Sequence, residues 1–166
     1  AGLWGYSIGD TVKFVSRTPY KLLVTGRIKH FISAFGEHVI GEEVEKAMRQ
    51  TIADFPEANL VEFTVAPQFD SSDGLPCHEW YIEFSNPPKD MDAFADTLDQ
   101  HLRDLNSYYD DLIEGNVLER LKICQLEKES FIRYMKSIGK LGGQNKVPRL
   151  SNDRKIADQL NAYLIK

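Results

Sequence analysis

Cysteine is scarce in this sequence. Cys77 and Cys124 are the only two in 166 residues, and they form no Cys-x-x-Cys pair. That argues against a disulfide scaffold, fits a reduced cytoplasmic setting, and removes the usual zinc-ligand spacing. The four histidines, His30, His38, His78 and His101, are scattered rather than clustered. No apolar run approaches the ~20 residues that span a bilayer, so no membrane helix is expected, and no signal peptide is recognisable. Positive charge is not in excess: 20 Lys and Arg against 25 Asp and Glu leave a formal charge of -5. A general nucleic-acid binder gains affinity by neutralising phosphates, so that class is disfavoured, while a small basic site for one nucleotide is not. There is no Gly-x-Ser-x-Gly elbow and no Walker phosphate loop. The sequence also opens without methionine, on Ala1-Gly2-Leu3-Trp4-Gly5. We read that as a piece of a longer protein, with ordinary N-terminal processing as the alternative.

What is present reads as a globular α+β domain. At 42% hydrophobic and 27% charged, the chain has the material for a core without a metal or disulfide. Thr11 to Ser16 and Tyr20 to Thr25 are β-rich runs around Arg17-Thr18-Pro19, and predict an N-terminal hairpin. Val44, Ala47, Met48 and Ile52 make the stripe of a helix from about Glu42 to Ala53, with acids in its first turn. Val61, Phe63 and Val65 alternate, as do Trp80, Ile82 and Phe84, and the two runs predict a second hairpin. Glu79, Tyr81 and Glu83 face the other way. Asp90 can cap the next helix. Met91, Phe94, Leu98, Leu102, Leu105, Tyr109 and Leu112 predict that helix to be a single long one that stops at Gly115. A strand near Leu121 to Leu126 and a short helix carrying Phe131, Tyr134 and Met135 come next. Lys140 to Leu150 then forms a basic, Gly-rich loop. Ser151 or Asn152 caps a last helix with Ile156, Leu160 and Leu164 on one side. The expected fold is a short mixed, mainly antiparallel sheet flanked by helices.

Most polar residues read as structural. His101 is expected to be exposed or satisfied, Asp110-Asp111 and Glu42-Glu43 to be solvated or helix-end charges, and Trp80 and Tyr81 to be core. Three segments stand above that background. In Tyr6-Ser7-Ile8-Gly9-Asp10, an acid after Gly at a strand edge can accept the two hydroxyls of a ribose, or be turn chemistry. Gly26-Arg27 between two folded units reads as a hinge, or as a turn with surface cations; Phe35-Gly36-Glu37 lies just beyond it. In Gly142-Gly143-Gln144-Asn145-Lys146-Val147-Pro148-Arg149, the glycines and Val-Pro can hold Lys146 as a fixed point charge, or mark a flexible linker.

Taken in order, these segments resemble the end of the plant auxin-responsive family of acyl acid–amido synthetases. The likeness runs from Tyr-x-x-Gly-Asp through the Gly-Arg hinge, Phe-Gly-Glu and Asn106-Ser107-Tyr108-Tyr109 to Gln-x-Lys-x-Pro-Arg. The double glycine and the Gly-Arg hinge depart from the plant pattern and point to a bacterial-type member. The resemblance implies the C-terminal part of an ATP- and Mg²⁺-dependent ligase that makes an acyl-adenylate and passes the acyl group to an amine or amino acid. It implies residues 1–26 as the end of a large adenylation domain, with hairpin and hinge, and 27–166 as a small mobile domain. It also implies that Asp10 binds the ribose, Tyr6 lines the nucleotide site, Arg27 is the hinge arginine, and Lys146 reaches the phosphate or the reacting carboxylate. The partners are then the N-terminal adenylation domain of the same polypeptide, a small carboxylic acid and an amine acceptor. The family's phosphate loop is not in these residues, so the chain alone is expected to be inactive. Whether the second step makes an amide or a thioester stays open. The rival is a non-catalytic interaction module. A release-factor reading of Gly142-Gly143-Gln144 is disfavoured by the acidic charge.

Overall fold

In the computed structural model, residues 10–27, 31–69, 74–142 and 145–165 are described. The chain starts with two extended runs that pair as expected: β1 (Asp10–Arg17) lies antiparallel to β2 (Tyr20–Arg27). Val12 sits opposite Val24 and Phe14 opposite Leu22. These are cross-strand apolar pairs of the kind that stabilise a sheet face, yet all four side chains are more than half exposed. Among the described residues β1 and β2 form a sheet of their own. An isolated two-stranded hairpin is marginal in water.

A two-strand ribbon of β3 (Phe31–Ile32) and β4 (Val39–Ile40) leads into α1 (Gly41–Asp54). Glu43 folds back on the start of α1 and accepts the Ile40 amide at 3.0 Å. The alternating apolar runs become β5 (Asn59–Gln68) and β6 (Cys77–Asn86), an antiparallel hairpin. Asp90 then caps α2 (Met91–Leu105) through the Ala93 amide, as expected. After α3 (Ser107–Glu114), β7 (Lys122–Leu126) pairs parallel to β6, which makes β6 the central strand of a mixed sheet. The chain closes with α4 (Ser130–Ser137), α5 (Lys155–Leu160) and a 3-10 turn at Asn161–Tyr163. The architecture is the expected α+β fold with an N-terminal β-hairpin.

Helices cover both faces of this sheet. Phe63, Val65, Trp80, Ile82 and Phe84 pack with α1 and α2 side chains in one core. Ala66, Tyr81 and Leu126 pack with Phe131, Tyr134, Ala157 and Leu160 in a second. Trp80 and Tyr81 are thus core residues, one on each face. Glu83 points to the second core and is 4% exposed. Its carboxylate accepts the Glu129 and Phe131 amides at 2.7 and 3.1 Å, at the start of α4. There the unpaired amides and the dipole favour negative charge.

Two helix boundaries differ from expectation. The long amphipathic stripe is two helices, α2 and α3, because Asn106 breaks it. Its amide still donates to the Leu102 carbonyl, but its side chain turns back to accept the Tyr109 amide at 2.8 Å and so caps α3. Asn competes with the helix for backbone hydrogen bonds in this way. The other Asn106 group donates to Glu43 on α1 at 2.9 Å, which ties the bend to α1. The last helix is also shorter than expected. Asp153, rather than Ser151 or Asn152, accepts the Lys155 amide. Leu164 has left the helix and bridges Leu126, with the Ile165 amide donating to the Gln125 carbonyl at 3.0 Å. The free edge of β7 is satisfied by this return, which a continued helix could not do.

A buried polar relay runs through the first core. Glu37 accepts a hydrogen bond from His78 at 2.9 Å or shares its proton, and both side chains are fully buried. Its other oxygen accepts the Phe35 amide at 2.8 Å. Burial by itself would push the Glu37 carboxyl up, but the bond to His78, its charge and the backbone amides outweigh it and hold the group below its ordinary value. His78 stacks on Tyr109 at 5.2 Å. The Tyr109 hydroxyl donates to Asp99 at 2.7 Å, and Asp99 also accepts the Leu121 amide at 3.1 Å. His101 is satisfied too, 2.8 Å from Asp54.

Tyr109→Phe is expected to destabilise the chain by about 1–3 kcal/mol, because it removes the hydroxyl bonded to Asp99. Asp99→Ala should cost more, since it strands both the hydroxyl and the Leu121 amide; urea midpoints compare them. For Glu37 the lowered folded pKa means that its stabilisation is present above the unfolded value of about 4.5 and is lost as pH falls through the folded value. Glu37→Gln should therefore be less stable than wild type at neutral pH, with the gap narrowing below pH ~4.5. Urea midpoints from pH 7 to pH 3 measure it; a gap independent of pH would refute it.

Candidate functional site

Of the four residues singled out from the sequence, Tyr6 lies outside the described residues. Asp10 and Arg27 occupy one rung at the open end of the hairpin, directly opposite each other, with Gly26 opposite Thr11 in the next. Antiparallel pairing therefore sets the two motifs side by side along the backbone. Phe35-Gly36-Glu37 is the turn between β3 and β4, with Gly36 at φ +99°. That value lies in the region glycine enters freely. Its Glu37 is committed to His78 and is a structural carboxylate.

Lys146 stands elsewhere, exposed, after a segment that begins at the end of α4. There Gly139 turns left-handed at φ +67° and the Lys140 amide closes on the Met135 carbonyl at 2.9 Å. Gly142, at φ +91°, accepts from the Asn145 side chain at 3.3 Å. The far side of the segment is stitched to the edge of β5. Val147 is buried in the second core. The Thr64 hydroxyl donates to the Pro148 carbonyl at 2.7 Å. The Val65 amide donates to the Arg149 carbonyl at 2.9 Å, and the Ser151 amide to the Val65 carbonyl at 3.1 Å, so Leu150 bridges Val65 in parallel. The described part of the segment is therefore anchored on both sides. A linker free at both ends would lack these bonds.

Two clefts meet at Lys146. One, of about 270 Å³, lies between β5 and α4 and includes Glu62, Glu83 and Phe131. The other, of about 470 Å³, has an apolar floor of Met135, Ile138, Val147 and Ile156, with Lys140, Lys155 and Tyr134 on its walls. Lys155 is paired with Asp153 at 2.8 Å. Among the described residues no carboxylate is paired with Lys146. An unpaired ammonium at the mouth of an apolar-floored cleft suits an anionic group such as a phosphate or a carboxylate. Among the described residues there is no group of three or more His, Cys, Asp or Glu that could hold a metal, and no helix long and apolar enough to cross a membrane.

Arg149 ends the same motif, and sequence reasoning gives it no role. Its Nε donates to Glu45 of α1 at 3.1 Å, and its Nη1 to Glu62 and to the Phe63 carbonyl at 3.2 Å. Its guanidinium lies 4.7 Å from the centre of the Phe63 ring. No local signal reveals this, because those partners are 104, 87 and 86 residues away.

Comparison with known proteins agrees with this fold. No curated protein sequence matches the chain. A solved GH3.15 acyl acid amido synthetase superposes with a TM-score of 0.79 at 20% identity, over 99% of this chain and 30% of its own. A second solved structure, AtGH3.15 acyl acid amido synthetase in complex with 2,4-DB, gives 0.70 at 19% identity, over 96% and 30%. The chain thus spans less than a third of the length of these structures. The GH3 family C-terminal domain matches residues 42–155, from the first turn of α1 to the start of α5. The chain therefore belongs to the GH3 family, as its C-terminal domain.

Proposed function

We propose that this chain is the mobile C-terminal part of a longer ligase that activates a carboxylic acid with ATP and transfers the acyl group to an amine or amino acid. The observation that carries the reading is Lys146: a cation without an ion-pair partner among the described residues, on an anchored segment, in the C-terminal domain of a family whose solved relatives are amido synthetases. The exposed apolar pairs of the β1–β2 hairpin support residues 1–26 as the end of a large adenylation domain, which would cover them, and 27–166 as the small domain that turns about Gly26-Arg27. Two free thiols support a cytoplasmic setting. Burial pushes the Cys77 thiol up to about 11 and the Cys124 thiol up to about 12, so both stay protonated.

In the first half-reaction a carboxylate oxygen of the acid attacks the α-phosphorus of ATP. The bond from that phosphorus to the bridging oxygen breaks, and pyrophosphate leaves. Lys146 offsets the negative charge that gathers at the phosphate. Asp10 holds the ribose hydroxyls, Tyr6 lines the nucleotide site, and Arg27 is the hinge arginine beside it. Mg²⁺, when bound, neutralises part of the triphosphate charge; its ligands are not a cluster among the described residues. In the second half-reaction the amine nitrogen attacks the acyl carbonyl, loses a proton, and AMP leaves. Domain rotation excludes water before this step, because an acyl-adenylate otherwise hydrolyses.

In the intact protein, Asp10→Ala should weaken ATP binding by up to about 1.5–3 kcal/mol per lost hydroxyl bond. It should also erase the preference for ATP over its deoxyribose analogue. A preference as large as in wild type removes Asp10 from the ribose. Lys146→Ala should slow adenylation on the order of 10²–10³-fold through kcat, with ATP binding little changed. Transfer from a preformed acyl-adenylate should suffer less. Pre-steady-state kinetics of the two half-reactions test this, and equal slowing would leave Lys146 a structural cation. If the intact protein shows no nucleotide-dependent activity at all, the interaction-module reading replaces the ligase.

A further inference from the structure

Among the described residues Lys146 has no ion-pair partner, although one of its two clefts is also lined by acids. Two carboxylates, Glu62 and Glu83, line the 270 Å³ cleft together with Lys146. Both acids therefore face the same cleft as the ammonium. Glu83 is occupied, because its two oxygens accept the Glu129 and Phe131 amides. Glu62 lies on the edge strand β5, part-exposed, and nothing in its own strand restrains it except the amide of Phe63, which its Oε1 accepts at 3.0 Å. Among the described residues the one cation that holds it is Arg149, through the same Oε1.

We infer that Arg149 is a positioning residue: it holds Glu62 away from Lys146 and so keeps the Lys146 cation free for an anionic ligand. The wiring is more than a surface ion pair, which by itself would contribute little. The Arg149 fork reaches Glu45 with Nε, Glu62 and the Phe63 carbonyl with Nη1, and stacks on the Phe63 ring. Its own carbonyl is bonded to the Val65 amide. Those contacts fix the guanidinium on β5 next to Glu62. Arg149 is also tied in space to Lys146, since only buried Val147 and the conformationally stiff Pro148 separate them. A planar fork can serve several acceptors at once; a lysine at this position could offset charge but not hold this geometry. A segment that carries a working lysine thus brings its own arginine to occupy the competing acid.

This inference rests on the proposed role of Lys146, and the experiment separates the two. In the intact protein, Arg149→Gln should slow carboxylate-dependent pyrophosphate release by about fivefold, the size expected of one part-exposed ion pair forming in the wrong place. The loss should lie in kcat, with KM for ATP little changed. Glu62→Gln alone should change little, while Arg149→Gln with Glu62→Gln should recover most of the lost rate, and Arg149→Lys part of it. A merely structural role for Arg149 predicts the opposite, since the double variant would lack still more of the network. Wild type, the two glutamine variants and the double variant are treated with acetic anhydride, and the labelling rate of Lys146 is followed by mass spectrometry. It should fall in Arg149→Gln and return in the double variant. If the double variant stays as slow as Arg149→Gln, or Lys146 labels equally fast in all four, the inference is overturned. If wild type releases no pyrophosphate, or Lys146→Ala is fully active, the ligase reading of Lys146 fails, and the labelling rates alone decide whether Arg149 guards the cation.

Discussion

Every layer of this domain is built against β6, a strand with no solvent-facing side over most of its length. Trp80, Ile82 and Phe84 fill one face and Tyr81 the other, and β5 and β7 occupy both of its edges. A polar group buried without a partner costs more than most single contacts contribute, and the carboxylates of this strand and His78 Nε2 are accordingly paired, while among the described residues His78 Nδ1 and Trp80 Nε1 have no partner. The constraint explains the placement of the helices. Glu83 is spent on the start of α4, Glu79 on Arg154 of the segment leading to α5, and His78 on Glu37. Helix α4 lies where the Glu83 carboxylate can cap it, and the apolar contacts of Phe131 and Tyr134 are set by that position.

The polar relay on the other face does similar work for α1, α2 and α3. Asn106 turns the chain between two helices while bonding to Glu43 on a third. Tyr109, placed one turn later, stacks on His78 and reaches Asp99. The Leu121 amide joins at Asp99, just before β7 begins. Such a relay contributes little net stability per bond, but each member misplaced would leave a buried partner unpaired, so it specifies one arrangement of the helices.

The candidate site borrows its rigidity from the same sheet. Pro148, Arg149 and Leu150 behave as a short extra strand on β5, and the turn closing α4 holds the opposite side of the segment. Lys146 lies between these anchors, above the apolar floor of a cleft. That is the arrangement a point charge needs if it is to be placed reproducibly rather than left to wander. Asp10 and Arg27 share a rung of a hairpin whose apolar pairs Val12–Val24 and Phe14–Leu22 remain exposed.

The sequence by itself determined what depends on neighbours a few residues apart. The hairpin, α1, the β5–β6 pair, the Asp90 cap and the amphipathic stripes all arise from periodicity and turn chemistry, and each is in the structure. The ordered motifs were enough to point to the family. What only the tertiary structure decided involves partners far apart in the chain. Asn106 breaks a helical stripe that its apolar residues alone would continue, because Glu43 waits on α1 to take its amide group. The stretch after Leu160 leaves its helix because the edge of β7 needs backbone partners. Glu83 alternates with the apolar side chains of β6 as a surface acid would, and only the overlay of α4 shows it to be buried and bonded. Arg149 finds its acids on α1 and β5. Periodicity reports which face of an element is apolar, but pairing one buried polar group with another is settled by the geometry of packing, which no local pattern encodes.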